Sequence, residues 1–387
     1  MITIDTRNSN SICGLNWIQK LTWPSKKKNE PMPLNVVDLF CGCGGLTLGV
    51  WEATRLAGRN LTVKFAADIS EDALKIYRQN FTLDESTARN IDILQLFSGQ
   101  IGKPPTQSEL ALINSIEKID LLIAGPPCQG HSDLNNSTRR EDPRNRLYLK
   151  VIRAIELFMP KAIIIENVPT IIHDKEKVFY RSCHLLEDLG YTLSSTVINT
   201  VDFGLPQKRK RNILVAVKGI KKINLEEYLH SKKTTITPLS EYLSGLEDSS
   251  DVEKTIFNTP ARMGKVNQER VQYLFQKALY DLPNNLRPLC HKTKTHSYIS
   301  MYGRLRWDSP SQTITGGFGS MGQGRFIHPT RPRTITPHEA ARIQGFPDFF
   351  DFSNVKKRTS LQKMIGNAVP PIISALITNY LLEKNIL

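Results

Sequence analysis

Residues 119–132 read IDLLIAGPPCQGHS. The run Leu121, Leu122, Ile123, Ala124 has the length of a strand covered on both faces, and Gly125, Pro126 and Pro127 stop it abruptly. Cys128 therefore falls at the strand's carboxyl end, the edge where open α/β sheets bind their ligands. Free cysteines are among the most buried residues, and most of them serve packing. A thiol held beyond a stiff Pro-Pro turn is better placed for chemistry.

Outward from this strand, short apolar runs alternate with helical patterns from Val36 to Lys218. The runs are VVDLF (36–40), VKFAAD (63–68), IDLLIAG (119–125), AIIIENV (162–168), TLSSTVI (192–198) and NILVAVK (212–218). Helix candidates include EDALKIYRQNF (71–81), LYLKVIRAIELF (147–158) and KVFYRSCHLLEDLG (177–190). This alternation predicts an α/β fold, a Rossmann-like, mainly parallel sheet with helices on both faces. After Gly219 the alternation fails, and a smaller domain is expected. Four segments follow: a basic extension at 1–33, whose PSKKKNEPMP reads as an exposed linker; the α/β domain at 34–219; the smaller domain at 220–325; and a closing segment at 326–387. The last of these ends in PPIISALITNYLLEK (370–384), which reads as one amphipathic helix.

The composition is that of a globular protein, 40% hydrophobic and 23% charged among 387 residues. No apolar stretch reaches the ~18 residues of a membrane span, and MITIDTRNSNSICGLNW lacks a signal-peptide pattern, so a cytoplasmic protein is expected. Cys13, Cys41, Cys43, Cys128, Cys183 and Cys290 contain no C-x-x-C pair and no His/Cys ligand spacing, which argues against a disulfide framework and against a metal site. The formal net charge is +14. Much of it concentrates at Lys208, Arg209, Lys210, Arg211, Lys218, Lys221, Lys222, Lys232 and Lys233, a cluster that favours a nucleic-acid partner.

VVDLFCGCGGLTLG (36–49) is a strand, a glycine cluster and a helix, suited to close approach of backbone to a ligand. It is no Walker loop, and Thr47 stands where G-x-G-x-x-G needs its third glycine. Asp68 ends the next strand, where a carboxylate accepts bonds from ribose hydroxyls, and Asp92 sits at the following edge. Asp38 would repel a pyrophosphate but suits a cationic cofactor, which points to a sulfonium donor more than to NAD.

Taken with DLFCGCGG and GPPCQGHS, the stretches ENVP (166–169), QKRKR (207–211), TPHEAARIQGFPD (336–348) and IGNAVPP (365–371) make the chain resemble the DNA (cytosine-5) methyltransferases. The resemblance runs in order from Val36 onward and rests on several motifs at once. It implies that 34–219 is a catalytic domain binding S-adenosylmethionine, that 220–325 recognises the target, and that the last helix returns to the catalytic domain. It implies further a monomer acting on double-stranded DNA, away from membranes and without metal, and paired in function with a restriction endonuclease.

Cytosine C5 is too weak a nucleophile to take a methyl group unaided, so a nucleophile must first add at C6. By the resemblance Cys128 is that nucleophile, acting as thiolate on a base extruded from the stack. Glu166 protonates or hydrogen-bonds N3, and its place at an apolar strand end predicts a raised pKa. Arg209 and Arg211 place the catalytic groups, Arg211 reaching cytosine O2. Cofactor contacts carry over to Asp38, Phe40, Gly42, Gly44, Asp68, Asp92, Ile93, Pro127, Leu147, Asn367 and Val369, and DNA contacts to Gln129 and Ser132. Glu339 and Arg342 read as structural.

The branch of the family that methylates tRNA carries a Cys-Phe-Thr tripeptide, and none occurs here. A DNA-binding protein that has lost turnover is opposed by the intact set Cys128, Glu166, Arg209 and Arg211. A nucleotide-dependent dehydrogenase is opposed by Thr47 and Asp38.

Overall fold

A computed structural model describes residues 15–25, 32–127, 147–174, 176–246, 255–292 and 300–387. After a short helix α1 (Leu15–Ile18), the chain lays down β1 (Leu34–Leu39), β2 (Leu61–Asp68), β3 (Ala88–Asn90), β4 (Leu121–Ala124), β5 (Ala162–Asn167), β6 (Tyr191–Asn199), a two-residue β7 (Gln207–Lys208) and β8 (Lys210–Lys218). The central sheet has seven strands in the order β3-β2-β1-β4-β5-β8-β6. Every pairing from β3 to β5 is parallel, while β8 runs antiparallel to both neighbours. Residues 200–209, which join β6 to β8, are too short a link for the crossover that parallel strands require.

Side chains alternate across this sheet. Val37, Leu39, Leu122, Ile163, Ile165 and Leu214 face one layer, where α4 (Ile93–Leu96), α5 (Gln107–Ser115), α6 (Leu147–Phe158) and α7 (Val178–Asp188) pack. Val36, Leu121, Ile123, Ile164, Ile213 and Val215 face the other, covered by α2 (Gly45–Leu56) and by the final helix. The expected α/β architecture with helices on both faces is therefore present. The helix predicted over 71–81 is α3 (Glu71–Phe81), capped by the Ser70 side chain, and β3 is a strand that the sequence pattern did not signal.

Residues that the sequence assigns to the smaller domain divide between two cores. Leu225, Leu229, Leu239 and Leu243, on α8 (Leu225–Ser231) and α9 (Leu239–Leu243), join the core of the sheet domain. A separate small core of Val271, Leu274, Leu282, Met301, Tyr302, Met321 and Ile327 forms around α10 (Lys265–Gln276), with α11 (Leu289–Lys292) and β9 (Ser311–Gln312) following. The chain then returns through α12 (Pro337–Ile343) and α13 (Arg358–Asn367) to α14 (Pro371–Glu383). Glu339 and Arg342 are structural, as expected: Glu339 caps α12 and pairs with Arg333, and Arg342 pairs with Asp348 at 2.6 Å.

The final helix differs from its expected amphipathic form. Every residue from Pro371 to Leu381 is buried, because α2 and α8 flank it as well as the sheet, and a helix apolar all round belongs to a core. Taken as one run, Arg358–Glu383 is long and apolar enough to cross a membrane by length and composition, but most of it lies inside the fold. Its approach to α2 is close: a Cβ on Gly49 would lie 2.0 Å from the Pro371 carbonyl oxygen. Gly49→Ala is therefore expected to cost about 3 kcal/mol through overpacking, read as a lower urea midpoint at unchanged slope.

The extension at 1–33 packs on the fold ahead of PSKKKNEPMP. Trp17 and Ile18 are buried, and the Asp348 amide donates to the Ile18 carbonyl at 2.9 Å.

Candidate active site

The carboxyl ends of β1, β2, β4 and β5 open into a cleft of about 1300 Å³. Of the residues singled out from sequence, Phe40, Gly42, Asp68, Asp92, Ile93, Pro127, Leu147, Glu166, Arg209, Arg211, Asn367 and Val369 line it together. Asp38 and Gly44 lie behind its wall. Cys128, Gln129 and Ser132 lie outside the described residues, directly after Pro127.

The loop after β1 is held in an unusual conformation. Phe40 (φ 58°), Gly42 (φ 53°) and Gly44 (φ 98°) are all left-handed, which for Phe40 costs on the order of 1 kcal/mol. The Cys41 amide donates to the Ala67 carbonyl at 3.1 Å, and the Gly42 amide to Asp68 Oδ2 at 2.9 Å. A Cβ on Gly42 would meet no protein atom within 4 Å, so a side chain there would take up space in the cleft. Burial raises the Asp68 carboxyl pKa, opposed by the amides of Ser70 and Gly42. Asp92 caps α4, its Oδ1 accepting from the Leu94 amide at 2.9 Å. The chemistry of this pocket, two carboxylates at strand ends beside an open glycine turn, fits a ligand with ribose hydroxyls.

Asp38 is not placed for the cofactor contact expected of it. It shares a face of β1 with Val36 and points under α2, where Oδ2 accepts from the Thr47 hydroxyl at 2.6 Å and Tyr77 stands 2.8 Å from that hydroxyl. Complete burial pushes its carboxyl up to about 8, with the Thr47 bond opposing and the Asp68 charge adding to the rise. The acid is thus neutral in the folded protein over a range where the unfolded chain ionises it. Stability from this group is full below about pH 4 and is lost as pH rises toward 8. Asp38→Asn should remove that loss, so its Tm is expected to exceed that of wild type by a growing margin from pH 5 to pH 8, reaching a few degrees. Thermal melts at several pH values read this directly.

The other side of the cleft is built on β5, on β8 beside it in the central sheet, and on β7, which pairs with β9. Glu166 is 6% exposed, and Arg211 Nε lies 2.6 Å from its Oε1. The N–H is not aimed at that oxygen, so the contact is an ion pair that leaves Oε1 a lone pair. The setting of Glu166 is therefore not the purely apolar strand end that the sequence suggests. Asn167 ties the end of β5 to the Pro126 carbonyl at 3.4 Å, close to where Cys128 follows.

Arg209 is 2% exposed and faces backbone. Its guanidinium donates to the carbonyls of Ile314 (3.0 Å), Gly366 (3.2 Å) and Ala368 (3.0 Å). Gln207 donates to Gln344 Oε1 at 2.7 Å and accepts from the Ile314 amide at 3.0 Å, while Gln344 donates to the Ile365 carbonyl at 2.6 Å. One buried knot thus joins the arm that carries Arg211, the segment after β9, the end of α12 and the residues around Asn367. Within QKRKR, Gln207 and Arg209 are buried, whereas Lys208 and Lys210 are exposed.

Lys208, Lys210 and Lys363 place positive charge on the cleft wall, and exposed Ile69 adds an apolar surface beside Asp68. Sequence reasoning passed over Lys363 and Ile69. Ile69 had a signal, an apolar residue directly after a strand-terminal carboxylate. Among the described thiols, burial pushes Cys41 well up, Cys43 to about 12 and Cys183 to about 11, so all three are neutral and unreactive at pH 7.

Comparison with known proteins agrees with this geometry. Residues 34–382 match the family model of the C-5 cytosine-specific DNA methylases. The chain is 44% identical to the type II methyltransferase M1.BsuMI of Bacillus subtilis (strain 168), over 97% of this chain and 86% of that protein. It is 31% identical to the type II methylase M.HgiDII of Herpetosiphon aurantiacus, over 88% and 93%. A crystal structure of a prophage-encoded DNA modification methyltransferase from E. coli superimposes with a TM-score of 0.61 at 27% identity, covering 90% of this chain and 99% of that one. With the family match spanning nearly the whole chain and the sheet, cleft and motif residues arranged as described, the chain belongs to the C-5 cytosine-specific DNA methylases.

Proposed function

We propose that this protein methylates C5 of cytosine at one sequence in double-stranded DNA, as the modification enzyme of a type II restriction-modification system. The observation that carries the reading is the meeting of the Glu166–Arg211 pair and the open glycine turn in a single cleft at one sheet edge.

S-adenosylmethionine, when bound, supplies the methyl group. Asp68 and Asp92 would take its ribose and adenine side, Ile69 and Phe40 would flank the adenine, and Asn367 with Val369 would close the cleft opposite. On the base, the Cys128 thiolate forms a bond to C6, and the displaced π electrons pass toward N3 and C5. Glu166 holds or donates the proton at N3, and Arg211 keeps that carboxyl in place. After C5 has gained its methyl group it loses its proton, the C6–sulfur bond breaks, and the thiolate leaves with its electron pair. Lys208, Lys210 and Lys363 would neutralise phosphates of the duplex at the cleft rim. We infer a cytoplasmic monomer, paired in function with a restriction endonuclease of the same sequence specificity.

Expression in a host that lacks cytosine methylation, followed by genome-wide sequencing for 5-methylcytosine, tests the reading. A single methylated motif is expected. An unmodified genome with the folded protein present, or methyl label found in tRNA alone, overturns it.

A further inference from the structure

We propose that residues 15–25 form a strap that positions the glycine turn of the cofactor cleft, with Trp23 as its principal positioning residue; this rests on the reading of that cleft as the cofactor site. Trp23 is half-buried in an aromatic cluster. Its ring centroid lies 4.7 Å from that of Trp51 at 86°, 4.5 Å from Phe349 and 6.1 Å from Phe81. Two of these partners bear directly on the turn. Trp51 sits on α2, the helix that starts at Gly45, and Phe81 stands against Gly44 so closely that a Cβ there would be 2.5 Å from its ring. The strap is anchored upstream by Trp17, edge-on to Phe349 at 5.1 Å, and by the bond from the Asp348 amide to the Ile18 carbonyl.

The turn needs such support. Three left-handed residues within five positions persist only when their surroundings over-determine them, and Phe40 has no glycine's freedom. Bonds from the Cys41 and Gly42 amides tie the turn to β2 and the Gly44 amide closes it on the Cys41 carbonyl, while Phe81 packs against Gly44 and α2 continues from it. Trp23 wedges between those two supports without lining the cleft, so it acts through them and not on the cofactor.

The test uses the full chain with Trp23→Ala, Trp23→Leu and Trp23→Phe. Calorimetry gives the affinity for S-adenosylhomocysteine, and hydrogen exchange reports the amides of Cys41, Gly44 and Leu48 in the ligand-free protein. In Trp23→Ala the affinity is expected to fall about 5- to 10-fold and exchange at those three amides to accelerate ahead of the sheet core, with both recovered in Trp23→Phe. Trp23→Leu keeps apolar bulk and serves as the folded variant if Trp23→Ala fails to fold; it is expected to show the same two changes. A folded variant with affinity within twofold of wild type and unchanged exchange at the turn overturns the inference, even if its Tm is lower. Failure of wild type itself to bind S-adenosylhomocysteine would overturn the cofactor reading instead, and the exchange comparison would still decide whether the strap braces the turn.

Discussion

Replacing Cys128 by alanine is expected to lower methyl transfer to duplex DNA by ~10⁴-fold or more, the scale on which loss of a covalent nucleophile acts. The expectation follows from the substrate. Without addition at C6 the ring has no enamine character at C5, and the two thiols of the described cleft, Cys41 and Cys43, are buried and neutral and cannot take the place of Cys128. DNA and cofactor affinities should change little, because neither depends on the thiol. A filter assay of methyl incorporation beside a binding titration separates the two. Activity within a hundredfold of wild type would mean that another group forms the adduct.

Glu166→Gln is expected to reduce kcat by ~10³-fold, within the range for a positioned general acid. Glutamine can still offer an N–H to cytosine N3, but it has no proton to give, so activation of C6 is weakened and not lost. Glu166→Ala should be worse, since it also strands the Arg211 guanidinium, 2.6 Å from the missing carboxylate and only 13% exposed. Single-turnover rates at saturating DNA measure both. If Glu166→Gln retained a tenth or more of the wild-type rate, the carboxyl would be a binding group and not an acid.

Much of this cleft was legible in the sequence, because residues at the ends of parallel strands follow apolar runs that mark those strands. IDLLIAG, AIIIENV and VVDLF each ended where the cleft begins. The exceptions have physical causes. Asp38 was read as facing the cofactor, although strand parity sets it on the same side as Val36, beneath α2. β3 was invisible because Ala88–Asn90 is too short to carry a period. The reversal of β8 lay in the length of the preceding connection, not in the strand itself. The burial of α14 on every side depends on α8, which periodicity assigned to a different domain. The burial of Gln207 and Arg209 is not visible in QKRKR, since charge type alone cannot distinguish a guanidinium facing water from one facing carbonyls.

The seating of α14 against α2 has a consequence for biosynthesis. Ser374 bonds the Leu46 carbonyl across 328 residues, and Gly49 meets Pro371. Until the ribosome has released the later segment, the face of the sheet that α14 covers is only partly covered, by α2, and the knot around Arg209 has no Gly366 or Ala368 to grip. At ordinary elongation rates that interval is on the order of tens of seconds. Such long-range closure makes folding slow and leaves the nascent chain dependent on protection of that face. It also ties the cleft to the end of the chain: a product that stops before α13 lacks Asn367, Val369 and the carbonyls that hold Arg209, so its cleft is incomplete.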